Sequence, residues 1–90
     1  QLAEIVDAVG DKIDVICEGG IQRGTHVLKA LSIGAKACSG GRLYLYALAA
    51  AGQPGVERAL SIYRAELERD MKLMGCSSID QLTRSNLRFR

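Results

Sequence analysis

Two short apolar segments, each followed by a pair of glycines, constrain the fold of this chain more than any other feature. They are IDVIC at residues 13–17 and AKACS at residues 35–39. Between them THVLKALSIG has apolar residues at helical spacing, and we expect this helix to have Thr25 as its N-cap and to stop at Gly34. A strand, a helix and a second strand form a parallel crossover, not a hairpin. The sequence therefore predicts an α/β fold.

Helices are predicted on both sides of this unit. The apolar spacing of residues 2–10 favours a helix before the first strand, and residues 42–52 are rich in Leu and Ala. The sequence QPG at residues 53–55 is expected to break that second helix. A long helix is then predicted over residues 56–74, followed by one short turn capped by Ser77 or Ser78.

The two glycine pairs suggest an anion site. Loops at the carboxyl ends of parallel strands lie on one side of a sheet, so the loops at residues 19–20 and 40–41 should be neighbours. An arginine follows each pair closely, at Arg23 and Arg42. Exposed backbone N–H groups, a helix N-terminus and a guanidinium together bind phosphate. Two tight turns without a ligand remain the alternative.

Length and charge exclude several classes of protein. Ninety residues are far fewer than the ~250 of a closed (β/α)₈ barrel. The longest apolar run, at residues 43–52, is about half of the ~20 residues that a membrane-spanning helix needs. The net charge is +2 with basic and acidic residues interleaved, so we expect no nucleic-acid partner. Only the segment at residues 83–90 is locally basic, and we expect it to be a solvated tail.

The cysteines predict a reducing environment. Cys17, Cys38 and Cys76 are odd in number and lack C-x-x-C spacing, which favours neither a disulfide framework nor a zinc site. The first ten residues are acidic and do not resemble a targeting segment. We therefore expect a cytoplasmic protein without a bound metal.

The segment EGGIQRGTHVLKALSIGAKACSGGRLYLYALAAAGQPGVERAL resembles the C-terminal part of the FMN-dependent α-hydroxy-acid oxidases and dehydrogenases, the family that includes glycolate oxidase and mandelate dehydrogenase. The resemblance extends over essentially the whole chain. The glycine-rich loop and KALSIGA are shared in outline with other phosphate-binding barrels such as IMP dehydrogenase. The motifs LYALAAAGQPGV and LMGCSSIDQL are more particular to the hydroxy-acid family.

The resemblance implies where FMN would bind. The family's motif is Asp-Gly-Gly-(Ile/Val)-Arg-Arg-Gly, whose Asp holds the ribityl hydroxyls and whose glycines and first Arg contact the phosphate. A Gly-Arg pair after the last strand completes the phosphate site. The corresponding FMN-binding residues of this chain are Glu18, Gly19, Gly20, Gln22, Arg23, Gly41 and Arg42.

Three positions depart from the family's pattern. Glu18 is one methylene longer than the usual Asp, Gln22 replaces the first Arg, and Leu43 replaces a Pro. A charge-assisted hydrogen bond contributes ~1.5–3 kcal/mol against ~1 kcal/mol for a neutral bond. Gln22 is therefore expected to weaken FMN binding without abolishing it.

The catalytic residues of the family are not expected in this chain. Oxidation of a 2-hydroxy acid needs a base for the hydroxyl proton and a cation for the carboxylate. In the family, both come from a His-Gly-Gly/Ala-Arg stretch after the preceding strand, which this sequence does not contain. We expect the single histidine, His26, to be a surface residue, and we assign no catalytic residue.

Together these observations predict that residues 1–90 form one partial domain, the C-terminal part of a (β/α)₈ TIM barrel with its last two βα units and C-terminal helices. The resemblance implies an oxidoreductase for L-2-hydroxy acids that uses FMN, with this part inactive alone. We expect the N-terminal part of the barrel, or further copies of the chain, as partners. Another FMN- or phosphate-binding barrel, or a non-catalytic fragment that self-associates, remain alternatives.

Overall fold

The computed structural model describes residues 1–89 and contains three α-helices, a two-stranded sheet and two short 3₁₀ turns. The elements in chain order are α1 (Leu2–Val9), β1 (Ile16–Glu18), α2 (Gly24–Ile33), β2 (Ala37–Ser39), α3 (Arg42–Leu73) and the 3₁₀ turns Ile79–Gln81 and Arg84–Asn86.

The two strands are parallel and adjacent, which confirms the predicted α/β crossover. Their register pairs Cys17 with Cys38 and Glu18 with Ser39, so both strands end at the same level. Both strands are shorter than predicted, because neighbouring helices use the preceding backbone groups. The N–H of Ile13 donates to a carbonyl of α1, and the N–H of Ala35 donates to a carbonyl of α2. These residues therefore complete helix ends and do not join the sheet.

Helix α3 has a sharp kink, and the break lies earlier than predicted. Ala51 and Gly52 have non-helical backbone angles, with φ of Gly52 at 60° and ψ at −146°. Pro54, which was expected to mark the break, lies in the first turn of the following segment, where a missing N–H is tolerated. The two segments approach closely at Gly55, where a Cβ would overlap the carbonyl oxygen of Ala47. The kink therefore turns residues 53–73 back toward the sheet.

Helix α2 lies at the centre of the molecule and contributes most of the buried residues. It packs against α3, α1, β2 and the second 3₁₀ turn. The buried side chains of its interior, together with two neighbours, are Leu28, Ala30, Ser32, Ala35 and Leu82. The core is small, so polar contacts between elements contribute substantially to their placement.

Arg84 makes several such contacts. The prediction that the C-terminal segment is a solvated tail is therefore wrong for this residue. Its guanidinium donates to the carbonyl oxygens of Ile33 at 2.9 Å and Ala3 at 3.3 Å. It also lies 2.8 Å from the carboxylate of Asp7. Arg84 therefore joins α1, the end of α2 and the C-terminal segment. The last residue of the predicted tail, Arg90, lies outside the described residues.

Many large apolar side chains remain exposed. Ile13, which precedes β1, and Ile16, the first residue of β1, are 61% and 62% exposed, and Tyr46 on α3 is 70% exposed. Others on the same helix are Tyr44, Leu45, Leu48, Leu60, Ile62 and Leu73. Large apolar side chains exposed in this number favour a surface that another part of a protein covers.

The kink yields a stability prediction. A side chain at Gly52 would have open space around it, so only the backbone conformation opposes the change Gly52→Ala. We expect this change to lower the free energy of unfolding by about 1–2 kcal/mol, measured by urea unfolding of the protein at its natural length. Ser61→Ala, at an exposed helical position of α3, is the control and should have little effect. Equal stability of G52A and wild type would show that the kink does not depend on glycine.

Candidate functional site

A cleft opens at the carboxyl ends of β1 and β2. Its volume is about 590 Å³, within the ~300–1,000 Å³ typical of small-molecule sites. The β1–α2 loop forms one wall, the β2–α3 loop forms a second, and apolar residues from both segments of α3 complete it. The residues that line it include Glu18, Gly19, Gly20, Gln22, Gly41 and Arg42.

The β1–α2 loop depends on glycine. Gly19 and Gly20 have φ angles of 101° and 70°, which residues with a side chain rarely adopt. Within residues 1–89, no atom other than those of the glycines and their chain neighbours lies within 4 Å of the positions that their Cβ atoms would occupy. The loop therefore leaves its backbone open to a ligand in the cleft.

The second wall is the start of α3. Gly41 is the N-cap, and no side chain of the described part of the chain caps the helix, so the first-turn N–H groups have no side-chain acceptor there. Arg42 is exposed, and within residues 1–89 its guanidinium forms no ion pair. A helix N-terminus beside a guanidinium attracts an anion such as a phosphate.

Glu18 and Gln22 contribute polar groups to the same cleft. The Oε1 atom of Glu18 lies 3.9 Å from the position of a Cβ on Gly41, so its carboxylate spans the ends of the two strands. The backbone N–H of Gln22 donates to Nδ1 of His26 at 3.2 Å. His26 thereby holds the end of the loop against the first turn of α2.

Arg23 is the exception among the predicted cofactor residues. Its Nε atom donates to Oε1 of Glu66 at 2.9 Å, and a second guanidinium nitrogen lies 2.7 Å from the same oxygen. Arg23 does not line the cleft, because α3 returns after its kink and presents a carboxylate on the other side of the loop. The structure thus groups six of the seven predicted residues and places Arg23 behind them. For all seven, contact with FMN stays a prediction.

Two carboxylates of α3 hold the start of α2, and sequence reasoning did not identify either. Glu66 accepts a hydrogen bond from the N–H of Gly24 at 2.7 Å, and Asp70 accepts one from the hydroxyl of Thr25 at 2.5 Å. The prediction that Thr25 caps α2 is therefore wrong. Arg23 occupies the N-cap position without a side-chain cap, and α3 supplies the carboxylates. The only sequence signal for this role of Glu66 and Asp70 is that they are four residues apart in a predicted helix and so lie on one face of it.

These contacts change the acidity of both carboxylates. The hydrogen bond from Arg23, with that from the N–H of Gly24, lowers the pKa of Glu66. The hydrogen bond from the hydroxyl of Thr25, together with Arg69, lowers the pKa of Asp70. Both side chains are therefore held in the ionised form in which they accept these bonds.

An α/β chain with two glycine-rich loops and a helix N-terminus around one cleft has the architecture of a protein that binds a phosphorylated ligand. The chain belongs to the FMN-dependent dehydrogenase family, whose model matches residues 1–89. The resemblance stated from the sequence is therefore confirmed, and the family it identifies uses FMN.

Two curated relatives illustrate the match. A peroxisomal (S)-2-hydroxyacid oxidase of Arabidopsis thaliana is 45% identical over 87 residues, which are 97% of this chain and 24% of the relative. An L-lactate oxidase of Nostoc is 46% identical over 86 residues, which are 96% of this chain and 24% of the relative. The chain thus spans about a quarter of the length of the curated relatives it matches.

Solved structures agree with the sequence match. The flavin-binding domain of baker's yeast flavocytochrome b2 superposes with a TM-score of 0.89 at 44% identity, over 97% of this chain and 23% of that one. A soluble mutant of the membrane-associated (S)-mandelate dehydrogenase from Pseudomonas putida gives a TM-score of 0.92 at 36% identity, over 99% of this chain and 25% of that one.

The predicted location is not confirmed by these comparisons. None of the described helices is long and apolar enough to cross a membrane. One relative is named as peroxisomal and another comes from a bacterium, so the cytoplasmic location stays a prediction.

The lowered pKa of Asp70 predicts a change in acid stability. The pKa of Asp70 in the folded protein lies below the ordinary value of about 3.9. Asp70 therefore contributes fully to the free energy of unfolding above that pH, and this contribution is lost as the pH falls through the pKa of the folded protein. Asp70→Asn should therefore lower the free energy of unfolding at pH 7 and flatten its decline in acid. Urea unfolding between about pH 2 and 7 measures both effects.

Asp11→Asn is the matched control for this prediction, because Asp11 is exposed and is not one of the carboxylates that hold the start of α2. It should preserve the wild-type slope. If the slope of D70N also equals that of the wild type, the contact with Thr25 does not stabilise the folded state.

Proposed function

We propose that this chain forms the phosphate-binding part of the FMN site in an oxidoreductase that converts L-2-hydroxy acids to 2-oxo acids. One observation carries the proposal: two glycine-rich loops of an FMN-dependent dehydrogenase family member enclose one cleft with six of the residues expected to bind FMN. The named activities of the relatives, on lactate and other 2-hydroxy acids, support this substrate class.

The cleft suits the phosphate end of FMN. Gly19 and Gly20 allow close approach of an anion to the backbone, and the first turn of α3 offers N–H groups without a side-chain cap. Arg42 would neutralise the phosphate charge, while Gln22 offers a neutral hydrogen bond. Glu18, at the mouth between the strands, would accept hydrogen bonds from ribityl hydroxyls.

The chemical step would use groups outside this cleft. When bound, FMN supplies the acceptor for the hydride from the α-carbon of the substrate. Among the described residues, the cleft contains no histidine that could take the hydroxyl proton and only Arg42 as a cation, which the phosphate would occupy. We propose that the base and the carboxylate-binding cation lie in the part of the protein that corresponds to the remaining length of its relatives.

The exposed apolar surface also supports the proposal that another part of the protein packs against this chain. Ile13, Ile16 and Tyr46 are each more than half exposed beside the cleft-forming elements. In the proposed (β/α)₈ barrel, the preceding βα units would cover this surface. Association of several copies through it, with no cofactor, is the second candidate function, and the same exposure supports it.

The direct test is the absorbance spectrum of the protein purified at its natural length, combined with a mass measurement by light scattering. A flavin spectrum near one FMN per chain, bleached by a 2-hydroxy acid such as L-lactate, glycolate or L-mandelate without oxygen, supports the proposal. An oligomer that stays colourless in excess FMN supports self-association instead. Flavin that is bound but not bleached by any 2-hydroxy acid favours another FMN-dependent barrel.

Removing the cation of the cleft should weaken FMN binding. Arg42→Ala is expected to raise the dissociation constant of FMN about 10- to 100-fold, which corresponds to ~1.5–3 kcal/mol for a hydrogen bond to a charged group. Quenching of flavin fluorescence measures the constant. Arg58→Ala removes an exposed arginine of α3 outside the cleft and should change little. Equal losses in the two variants would refute a specific contact with Arg42.

Restoring the family's arginine should strengthen binding. Gln22→Arg places a cation in the cleft, and we expect FMN to bind roughly tenfold more tightly because a neutral hydrogen bond becomes charge-assisted. Gln53→Arg adds the same charge on α3 away from the cleft and serves as the control. No gain in Q22R, or the same gain in Q53R, would contradict the assignment of residue 22 to the phosphate.

A further inference from the structure

The side chain of Glu66 is the meeting point of two elements that surround the cleft. It projects from the returning segment of α3, and its side chain is only 12% exposed. One of its oxygens binds the guanidinium of Arg23, and the other accepts the N–H of Gly24. These two residues connect the glycine-rich β1–α2 loop to α2. Glu66 therefore contacts the loop at the point where it leaves the cleft.

The backbone packing at this point leaves little freedom. Gly24 is buried, and a Cβ there would lie 2.6 Å from the backbone nitrogen of Leu67 and from the carbonyl oxygen of Tyr63. Tyr63, one turn before Glu66, itself lines the cleft. The end of the loop is thus pressed against the backbone of α3, and a charged hydrogen-bond network holds it there.

Both walls of the cleft consequently depend on one helix. The wall containing Gly41 and Arg42 is the N-terminus of α3, and Glu66 on the same helix grips the opposite wall through Arg23 and Gly24. The kink at Gly52 makes this possible, because in a straight helix Glu66 would lie about 36 Å from Arg42 at 1.5 Å per residue.

We propose that Glu66 is a positioning residue that sets the distance between the two phosphate-binding loops and thereby determines the affinity for the phosphate group of FMN. The inference rests on the proposed function of the cleft. It assigns Arg23 to the support of the loop, in place of the contact with FMN that was predicted for it from the sequence.

The two roles of Arg23 predict opposite effects of one substitution. Glu66→Gln removes the ion pair while keeping the size of the side chain. If Arg23 supports the loop, E66Q loosens it and FMN binds more weakly. If Arg23 binds the phosphate directly, E66Q releases its guanidinium and FMN binds equally well or more tightly.

The experiment compares FMN with riboflavin, which lacks the phosphate. Dissociation constants of both ligands are measured by flavin fluorescence on the apo form of the protein at its natural length. We expect E66Q to weaken FMN binding about tenfold, since small displacements of binding groups have effects of this size or larger, and to change riboflavin binding less than about twofold. Glu68→Gln, which removes the exposed ion pair with Arg64 on the same helix, should change neither constant.

Each outcome has a defined meaning. Equal weakening of FMN and riboflavin would show a general loss of structure and overturn the inference, as would unchanged or tighter FMN binding. If E66Q does not fold, Glu66→Asp replaces it, because the shorter side chain weakens the contacts with Arg23 and Gly24 while it keeps the charge. E66D should weaken FMN binding if Arg23 supports the loop, and should leave it equal or tighter if Arg23 binds the phosphate. If the wild type binds neither ligand, the proposed function itself fails. If it binds FMN and E66Q behaves like E68Q, only the role of Glu66 fails.

Discussion

The contact of the Glu66 carboxylate with Arg23 and the N–H of Gly24 holds the start of α2 against the returning segment of α3. Few side chains are fully buried, so apolar packing alone does not explain the placement of α2 against α3. Glu66 gives the start of α2 the negative charge that a helix N-terminus favours, and it neutralises the arginine beside it. A charge on a distant segment thus replaces the local cap that the sequence was expected to provide.

This arrangement explains how a two-stranded sheet can present a shaped cleft. The register of the strands brings Glu18 and Ser39 to one level, so their loops begin side by side. The returning segment of α3 then supports the first loop from behind, while its own N-terminus forms the second. The departures from the family's motif, Glu18 and Gln22, lie inside a cleft whose framework is unchanged. We expect them to affect FMN affinity more than the fold.

Local sequence patterns predicted the elements and their parallel order, because glycine pairs, apolar spacing and strand length are properties of neighbouring residues. They also predicted that the two glycine pairs and Arg42 would be neighbours, because the loops after parallel strands lie on one side of a sheet, whereas Glu18 and Gln22 were identified only through the resemblance to the family. The patterns failed where distant segments decide the outcome. Thr25 was expected to be a cap because the partner Asp70, 45 residues away, was not evident. Pro54 was expected to mark a break that the conformation of Gly52 produces, and Arg23 was assigned to the ligand because Glu66 is remote in sequence.

We propose that the loops after both strands bind one and the same phosphate. A crystal structure of the protein at its natural length, grown with FMN, tests this most directly. We expect electron density for the phosphate within hydrogen-bond distance of backbone N–H groups from both glycine-rich loops and of the Arg42 guanidinium, with Arg23 still paired to Glu66. A flavin whose phosphate lies outside this cleft, or contacts Arg23 in place of Arg42, would show that the two loops do not share the phosphate.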